Sequence, residues 1–248
     1  MAAPSSLLTR PTDRRAAREK PRPVAASDLR AMRSPFFGDL ADDDMAALGA
    51  AMRQVSYPAG QVVLLEGAAS SVLYVLQSGR VKLYKTSPRG REQVLRLVRP
   101  GEMFNEVAAV DEGPNPASAQ AIEDCTLYLL RRRDLLQIVA QRSAVALAVT
   151  RDFARRLREA LALVEDLAFR DVTSRVAKIL LGGQAADDNP RAPWLTQELL
   201  AAMAGSRREV VGRALKTLSL DGAIRLERGR VHVQDRLLLE RIAWTHEV

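Results

Sequence analysis

A single cysteine, Cys125, and two histidines, His232 and His246, are all that the 248-residue chain offers to thiolate or imidazole chemistry. One cysteine closes no internal disulfide, and by itself it holds neither an iron–sulfur cluster nor a cysteine-rich zinc site. Both histidines lie near the C-terminus, so no nucleophile–base pair or metal constellation can be assembled, and the chain is not expected to be an enzyme or to carry a metal or resident cofactor. No apolar run approaches the roughly eighteen residues of a membrane span, so neither a transmembrane segment nor a membrane partner is expected, and the lone cysteine makes the cytoplasm the expected compartment. Aromatic residues are scarce, at 4%. What the chain has instead is cation: a formal charge of +7 and a pI near 10.0 suit a polyanion, with nucleic acid first among them. Its length fits two ordinary domains.

The first 30 residues hold Arg10, Arg14, Arg15, Arg18, Lys20, Arg22 and Arg30 against Asp13, Glu19 and Asp28, a surplus of four within the total of seven. Pro4, Pro11, Pro21 and Pro23 interrupt an alanine-rich stretch without aromatics, too poor in apolar surface to offset the entropy of ordering. A disordered tail is expected, either simply solvated or engaged with DNA or regulated by modification. Leu7-Leu8 is too short for the apolar core of a signal peptide.

From Gln54 to Leu130 short apolar runs alternate with turn signals. Val62–Leu65, Leu73–Leu76, Val81–Tyr84, Val94–Val98 and Cys125–Leu130 have strand length, and Pro58-Ala59-Gly60, Glu66-Gly67, Ser78-Gly79, Pro88-Arg89-Gly90 and Pro100-Gly101 punctuate them. That spacing predicts an antiparallel sandwich or roll. Within it Cys125 reads as a small buried hydrophobe, with a redox role as the alternative.

The series Tyr57-x-x-Gly60, Glu66-Gly67, Leu73-Tyr74-Val75-Leu76-x-Ser78-Gly79 and Pro100-Gly101-Glu102-x-Phe104-x-Glu106 resembles the β-roll of the CRP/FNR family of bacterial transcription regulators. In cyclic-AMP-responsive members, the resemblance implies, a Phe-Gly-Glu motif opens a short helix: glycine lets amides approach the cyclic phosphate and glutamate takes the ribose hydroxyl. A downstream Arg-Ser pair then clamps the phosphate. Here Asn105 stands in place of the glycine before Glu106, and Asn115-Pro116 aligns with the Arg-Ser pair. Loss of a bidentate arginine–phosphate contact removes roughly 1.5–3 kcal/mol, and proline removes an amide donor as well. The pocket is therefore read as degenerate and no cyclic nucleotide is expected as a partner, with another small ligand in the same hollow left open. The cysteine and histidine inventory also excludes the family's iron–sulfur and histidine-ligated haem sensors.

Between Ala144 and Arg170 there is neither Gly nor Pro, and Leu147, Thr150, Ala154, Leu157, Leu161, Val164 and Ala168 recur at steps of three and four. This heptad seam predicts a long helix that pairs with a second copy, or alternatively packs within one chain. Val149, Phe153, Ala160, Leu163 and Leu167 widen the stripe, and Arg151, Arg155, Arg156, Arg158, Glu159 and Glu165 are expected on a solvated face. The family resemblance implies a parallel homodimer. It also places Ala160 and Leu161 where responsive members carry an adenine-binding Thr-Ser pair.

After Asp171-Val172-Thr173-x-Arg175-Val176-Ala177, which resembles the family's hinge and first DNA-binding-domain helix, Gly182 to Trp194 reads as a loop. Thr196 is a natural N-cap for a helix burying Leu199, Leu200 and Met203; Gly205 permits a tight turn; Ser206 is expected to cap a second helix with Val210, Val211, Ala214, Leu215 and Leu218 inward. The string Leu195–Leu215 resembles the family's helix-turn-helix throughout. Arg208, Glu209 and Arg213 then stand at the base-reading face: each arginine suits guanine O6/N7, and the glutamate suits cytosine N4. By resemblance the half-site is TGTGA-like or GTGT-like, repeated as an inverted pair about one helical turn apart. Thr196, Gln197, Ser206 and Lys216 read as phosphate contacts, and Arg207 as a phosphate contact, surface charge or base reader. Ala223 to Val233 alternates around Arg228-Gly229-Arg230 as a winged hairpin, whose Arg228 and Arg230 either touch phosphate or sit on a solvated turn. Asp235 is expected to open a closing helix through Leu237 to Ile242.

The expected fold class is α+β: a basic tail (1–30), an antiparallel β-roll resembling a cyclic-nucleotide-binding domain (31–140), a dimerisation helix (141–170) and a C-terminal winged helix-turn-helix (171–248). The expected partners are double-stranded DNA, a second copy of the chain and RNA polymerase.

Overall fold

The computed structural model describes residues 24–32, 34–184, 195–227 and 230–244. Helices α1 (Ala26–Ala31) and α2 (Asp42–Ala51) precede eight strands: β1 (Met52–Tyr57), β2 (Val62–Leu64), β3 (Val72–Ser78), β4 (Val81–Thr86), β5 (Glu92–Val98), β6 (Met103–Phe104), and, after helix α3 (Glu106–Asp111), β7 (Ser118–Ala121) and β8 (Cys125–Arg131). They form two four-stranded antiparallel sheets, ordered β1-β8-β3-β6 and β2-β7-β4-β5. Burial of one shared apolar cluster holds them together: Leu76, Val81, Val98, Ala119, Ala121 and Leu127 pack with Phe104, which stacks on Tyr74 at 5.1 Å. Cys125 is buried there, its thiol donating to the carbonyls of Arg80 and Glu123, and desolvation pushes its pKa up.

A second apolar cluster joins the outer face of β3 and β8 to α1, α2, α4 (Arg132–Gln141) and the start of α5 (Ser143–Phe169), through Leu29, Phe37, Leu48, Tyr128, Leu135 and Val145. The expected disordered tail therefore ends sooner than residue 30. Val24 and Leu29 are buried, and Val24 donates its amide to the Gly49 carbonyl, an approach that a side chain at position 49 would block. The remainder of that tail, residues 1–23, lies outside the described residues.

Beyond α5 come α6 (Val172–Gln184), α7 (Gln197–Met203), α8 (Arg208–Leu220), the hairpin β9 (Ile224–Glu227) and β10 (Arg230–Val233), and α9 (Arg236–Trp244), around a separate core of Val176, Leu200, Val211, Leu215, Leu218, Ile224 and Leu239. The loop expected from Gly182 begins later: α6 runs through Gly182 and Gly183, because buried Val176, Ala177 and Leu180 anchor the turns before them. Asp171 caps α6 by accepting from the Ser174 amide at 2.7 Å, and Asp235 caps α9 by accepting from the Leu238 amide at 2.9 Å.

Candidate nucleic-acid interface and the hollow of the roll

Thr196 caps α7 as the sequence predicts, its hydroxyl accepting from the Leu199 amide at 3.1 Å. Ser206 does not cap α8. Its own amide donates to the Ala201 carbonyl, closing the α7 turn, and Arg207 occupies the N-cap position without a side-chain bond. Between them Gly205 adopts φ +62°, and a Cβ there would meet the Gln93 side chain at 2.7 Å and the Leu167 side chain at 2.8 Å. The turn thus packs against the roll's β5 and the end of α5, and Leu199 packs with Tyr84 and Val94.

This packing leaves one face of the helix pair open. Thr196, Gln197, Arg207, Arg208, Glu209, Arg213 and Lys216 are exposed, and Ser206 is half-buried. The inward face of α8 carries Val211, Ala214, Leu215 and Leu218, so helical periodicity turns Arg208, Glu209 and Arg213 outward together. Arg208 is held by Glu198 of α7 through an exposed ion pair of 2.7 Å. Arg230 is exposed at the start of β10, and Arg228 lies outside the described residues.

Along α5 the seam residues Leu147, Thr150, Ala154, Leu157, Leu161, Val164 and Ala168 are all exposed, with Leu157 at 62%, Leu161 at 59% and Val164 at 62%. A contiguous apolar stripe of this kind marks an interaction surface. Ala160 is exposed as well.

The hollow between the roll and α5 is occupied by charged side chains that sequence reading assigned to solvent or left unread. Buried Asp152 accepts from Arg155 and lies 3.4 Å from Arg156 Nε; Arg156 also pairs with Glu159 at 2.9 Å and approaches Glu102 at 3.8 Å. Arg155 reaches Glu102 at 3.8 Å, and Arg96 donates to the Met103 carbonyl at 2.7 Å. Arg155 and Arg156 are therefore not on the solvated face expected for them. The signal for this was Asp152 itself, an acid in register with buried Val145 and Ala148 and followed by arginines at i+3 and i+4.

Glu106 faces this cluster at the start of α3. Desolvation raises its pKa against the opposing pull of Arg96, and desolvation likewise raises that of Asp152 despite Arg155. Asn105 adopts the left-handed conformation, φ 64°, a region that favours glycine and that asparagine tolerates better than most other residues. Its side-chain amide donates to the Val72 carbonyl at 2.9 Å and to Ser70 at 3.3 Å. Asn115 is buried and donates to the Leu65 carbonyl at 2.9 Å, while Pro116 is exposed. The polar side chains of Asn105 and Asn115 are thus turned to structural partners.

A double-sheet roll, a long helix with an open apolar seam and a winged helix-turn-helix presenting arginines define a DNA-binding transcription regulator. Comparison with known proteins agrees: residues 54–142 match the cyclic nucleotide-binding domain, and residues 174–242 match the Crp-like helix-turn-helix domain. The chain is 37% identical over 211 residues to the cyclic AMP receptor protein of Thermus thermophilus, covering 85% of this chain and 97% of that protein. It is 35% identical over 217 residues to a CRP-like cAMP-activated global transcriptional regulator of Mycobacterium tuberculosis, at the same coverages of 85% and 97%. The structure of FixK2 from Bradyrhizobium japonicum superposes with a TM-score of 0.70 at 23% identity, covering 79% of this chain and 99% of that one, and so shares the fold. The chain belongs to the CRP/FNR family of transcription regulators and is not an enzyme. Among the described residues no helix is long and apolar enough to cross a membrane.

Proposed function

We propose that the protein is a homodimeric, sequence-specific regulator that binds an inverted repeat of TGTGA-like or GTGT-like half-sites without needing cyclic AMP. The observation that carries DNA reading is the joint exposure of Arg208, Glu209 and Arg213 on α8, opposite its buried stripe. Arg208 and Arg213 read guanine, Glu209 reads cytosine, and Thr196, Gln197, Ser206, Arg207, Lys216, Arg228 and Arg230 serve the phosphates. The seam of α5 pairs two copies, which carries two recognition helices to half-sites about one turn apart. The regulator works in the cytoplasm and acts on transcription through RNA polymerase.

Independence from cyclic AMP is supported by the charge of the hollow. Three guanidinium groups, Arg96, Arg155 and Arg156, face four carboxyl groups, Glu102, Glu106, Asp152 and Glu159. Arg155 and Arg156 are already engaged there by Asp152, Glu102 and Glu159, and no arginine stands at position 115 or 116 to receive a cyclic phosphate. A second reading keeps the fold and switches it with an unidentified small ligand in the same hollow. It is favoured by Arg96 Nη1 and Arg156 Nη2, buried donors without a hydrogen-bond partner, which suit an anionic group.

Fluorescence anisotropy at fixed salt tests the reading, with the inverted repeat and a scrambled duplex compared in the absence of any ligand. Specific binding at least about 10³-fold tighter than scrambled binding is expected. Equal affinity for both duplexes contradicts it.

A further inference from the structure

Where α5 gives way to α6, several cations converge on one carboxylate. Asp166, in the last turn of α5, accepts from Arg170 Nε at 2.8 Å and from Lys178 Nζ at 2.7 Å on each oxygen. The Arg170 side chain is fully shielded from water, its Nη1 donates to the Ala243 carbonyl at the end of α9, and its guanidinium carbon lies 5.0 Å from the centroid of the Trp244 ring. Lys178 sits over the same ring at 5.8 Å. Arg175 of α6 donates Nη1 to the Arg170 carbonyl at 2.7 Å and Nε to the Ala204 carbonyl at 2.8 Å, immediately before the turn glycine of the helix-turn-helix.

The last turn of α5 is thereby bonded in separate directions to α6, to α9 and to the turn that launches α8. Charge-assisted hydrogen bonds of this kind are directional, and two of them, from Nε and Nη1, hold the Arg170 guanidinium, whose Nη2 has no hydrogen-bond partner. The orientation of α8 relative to α5 is consequently fixed by side chains and not by the Arg170-Asp171 backbone alone. In a dimer paired along α5, that orientation is the separation and twist between the two recognition helices.

We propose that Asp166, Arg170 and Arg175 are positioning residues that determine which half-site spacing the homodimer accepts. The proposal rests on the homodimeric, inverted-repeat reading above. It assigns these residues no contact with DNA: they act through the placement of α8. Adding one base pair between half-sites moves one of them by about 3.4 Å and about 35° around the duplex, so a rigid clasp discriminates sharply between neighbouring spacings.

The test measures anisotropy of the wild type, Asp166→Asn, Arg170→Leu and Trp244→Leu on inverted repeats with the central spacer changed by −1, 0, +1 and +2 base pairs. A duplex with a single half-site is measured alongside, and thermal melting establishes which variants are folded. Wild type is expected to prefer one spacing, and the folded variants to lose about ten-fold of that preference while keeping their single half-site affinity, the size of effect a buried interaction network carries. Asp166→Asn spares the buried guanidinium and decides the matter should Arg170→Leu fail to fold. Folded variants with the wild-type spacing profile, or with equal losses on single and paired half-sites, overturn the clasp. A wild type indifferent to spacing overturns the homodimer reading and the clasp with it.

Discussion

Arg156 covers Asp152, its Nε 3.4 Å from the carboxylate oxygen that Arg155 leaves free, and the two side chains are 11% and 2% exposed. The contact joins two consecutive turns of α5, and Glu102 at 3.8 Å from both arginines ties that helix to the roll. Charges so withdrawn from water stand or fall together, since removing one partner strands the others in a poorly solvating site.

Arg156→Leu keeps apolar volume and removes one of the two guanidinium groups that face the Asp152 carboxylate. We expect a loss of about 3–5 kcal/mol, the range for breaking a buried ion pair, measured by urea denaturation monitored by circular dichroism. A loss below about 1 kcal/mol, the surface-pair range, would mean that water reaches the cluster.

Glu106 gives a pH signature. Its folded pKa is raised by desolvation, so folding favours the protonated form and the stability it contributes is present below the ordinary carboxylate range. That contribution is lost as pH rises from the ordinary range through the raised folded value. Glu106→Gln, neutral throughout, is expected to match wild type at the acid end and to become the more stable protein as pH increases towards neutrality. A stability gap that stays flat with pH, or that opens in favour of wild type, contradicts this assignment.

The seam of α5 is tested by Leu157→Glu and Leu161→Glu together. Both side chains are more than half exposed in one chain, so the fold should survive with unchanged far-ultraviolet dichroism while sedimentation shifts from dimer to monomer. Inverted-repeat binding then falls towards the affinity of a single half-site. Dimers that persist with both glutamates present place the interface elsewhere.

For base reading, Arg208→Ala and Arg213→Ala are each expected to cost about 1–3 kcal/mol against the matching guanine and to relax discrimination at that base pair. Lys216→Ala is expected to weaken specific and scrambled duplexes alike and to reduce the salt slope by about one. The check is anisotropy over a panel of single-base substitutions. Losses for Arg208→Ala that are uniform across the panel would move that residue to the phosphate group.

Much of the architecture was legible because it depends on local pattern. Val81–Thr86 and Cys125–Arg131 begin as apolar runs of strand length bounded by turn signals, and Thr196 announces α7 by its own hydroxyl. What escaped reading depends on contacts distant in sequence. Ala26–Ala31 has little apolar content of its own and is ordered by Leu29 meeting a core built from α2 and the roll. Ser206 has an N-cap's chemistry, yet α8 starts at Arg208 and leaves Ser206 one residue before the cap position, which Arg207 occupies. The arginines of α5 look like an ordinary charged face until the roll's Glu102 and Glu106 are placed opposite them, 50 or so residues away in sequence. Arg170 and Trp244 likewise meet only once α9 has folded back onto the hinge.

The central claim is a regulator whose hollow is filled by its own charges and whose DNA binding needs no cyclic nucleotide. The most direct test is the affinity of the wild-type protein for the inverted repeat at one fixed salt concentration, with and without saturating cyclic AMP. The account predicts tight binding in both cases, with affinities agreeing to within about two-fold, below the range of ordinary allosteric coupling. A gain of about five-fold or more on adding the nucleotide would contradict it, and would mean that Asn115, Pro116, Ala160 and Leu161 are compensated by other residues.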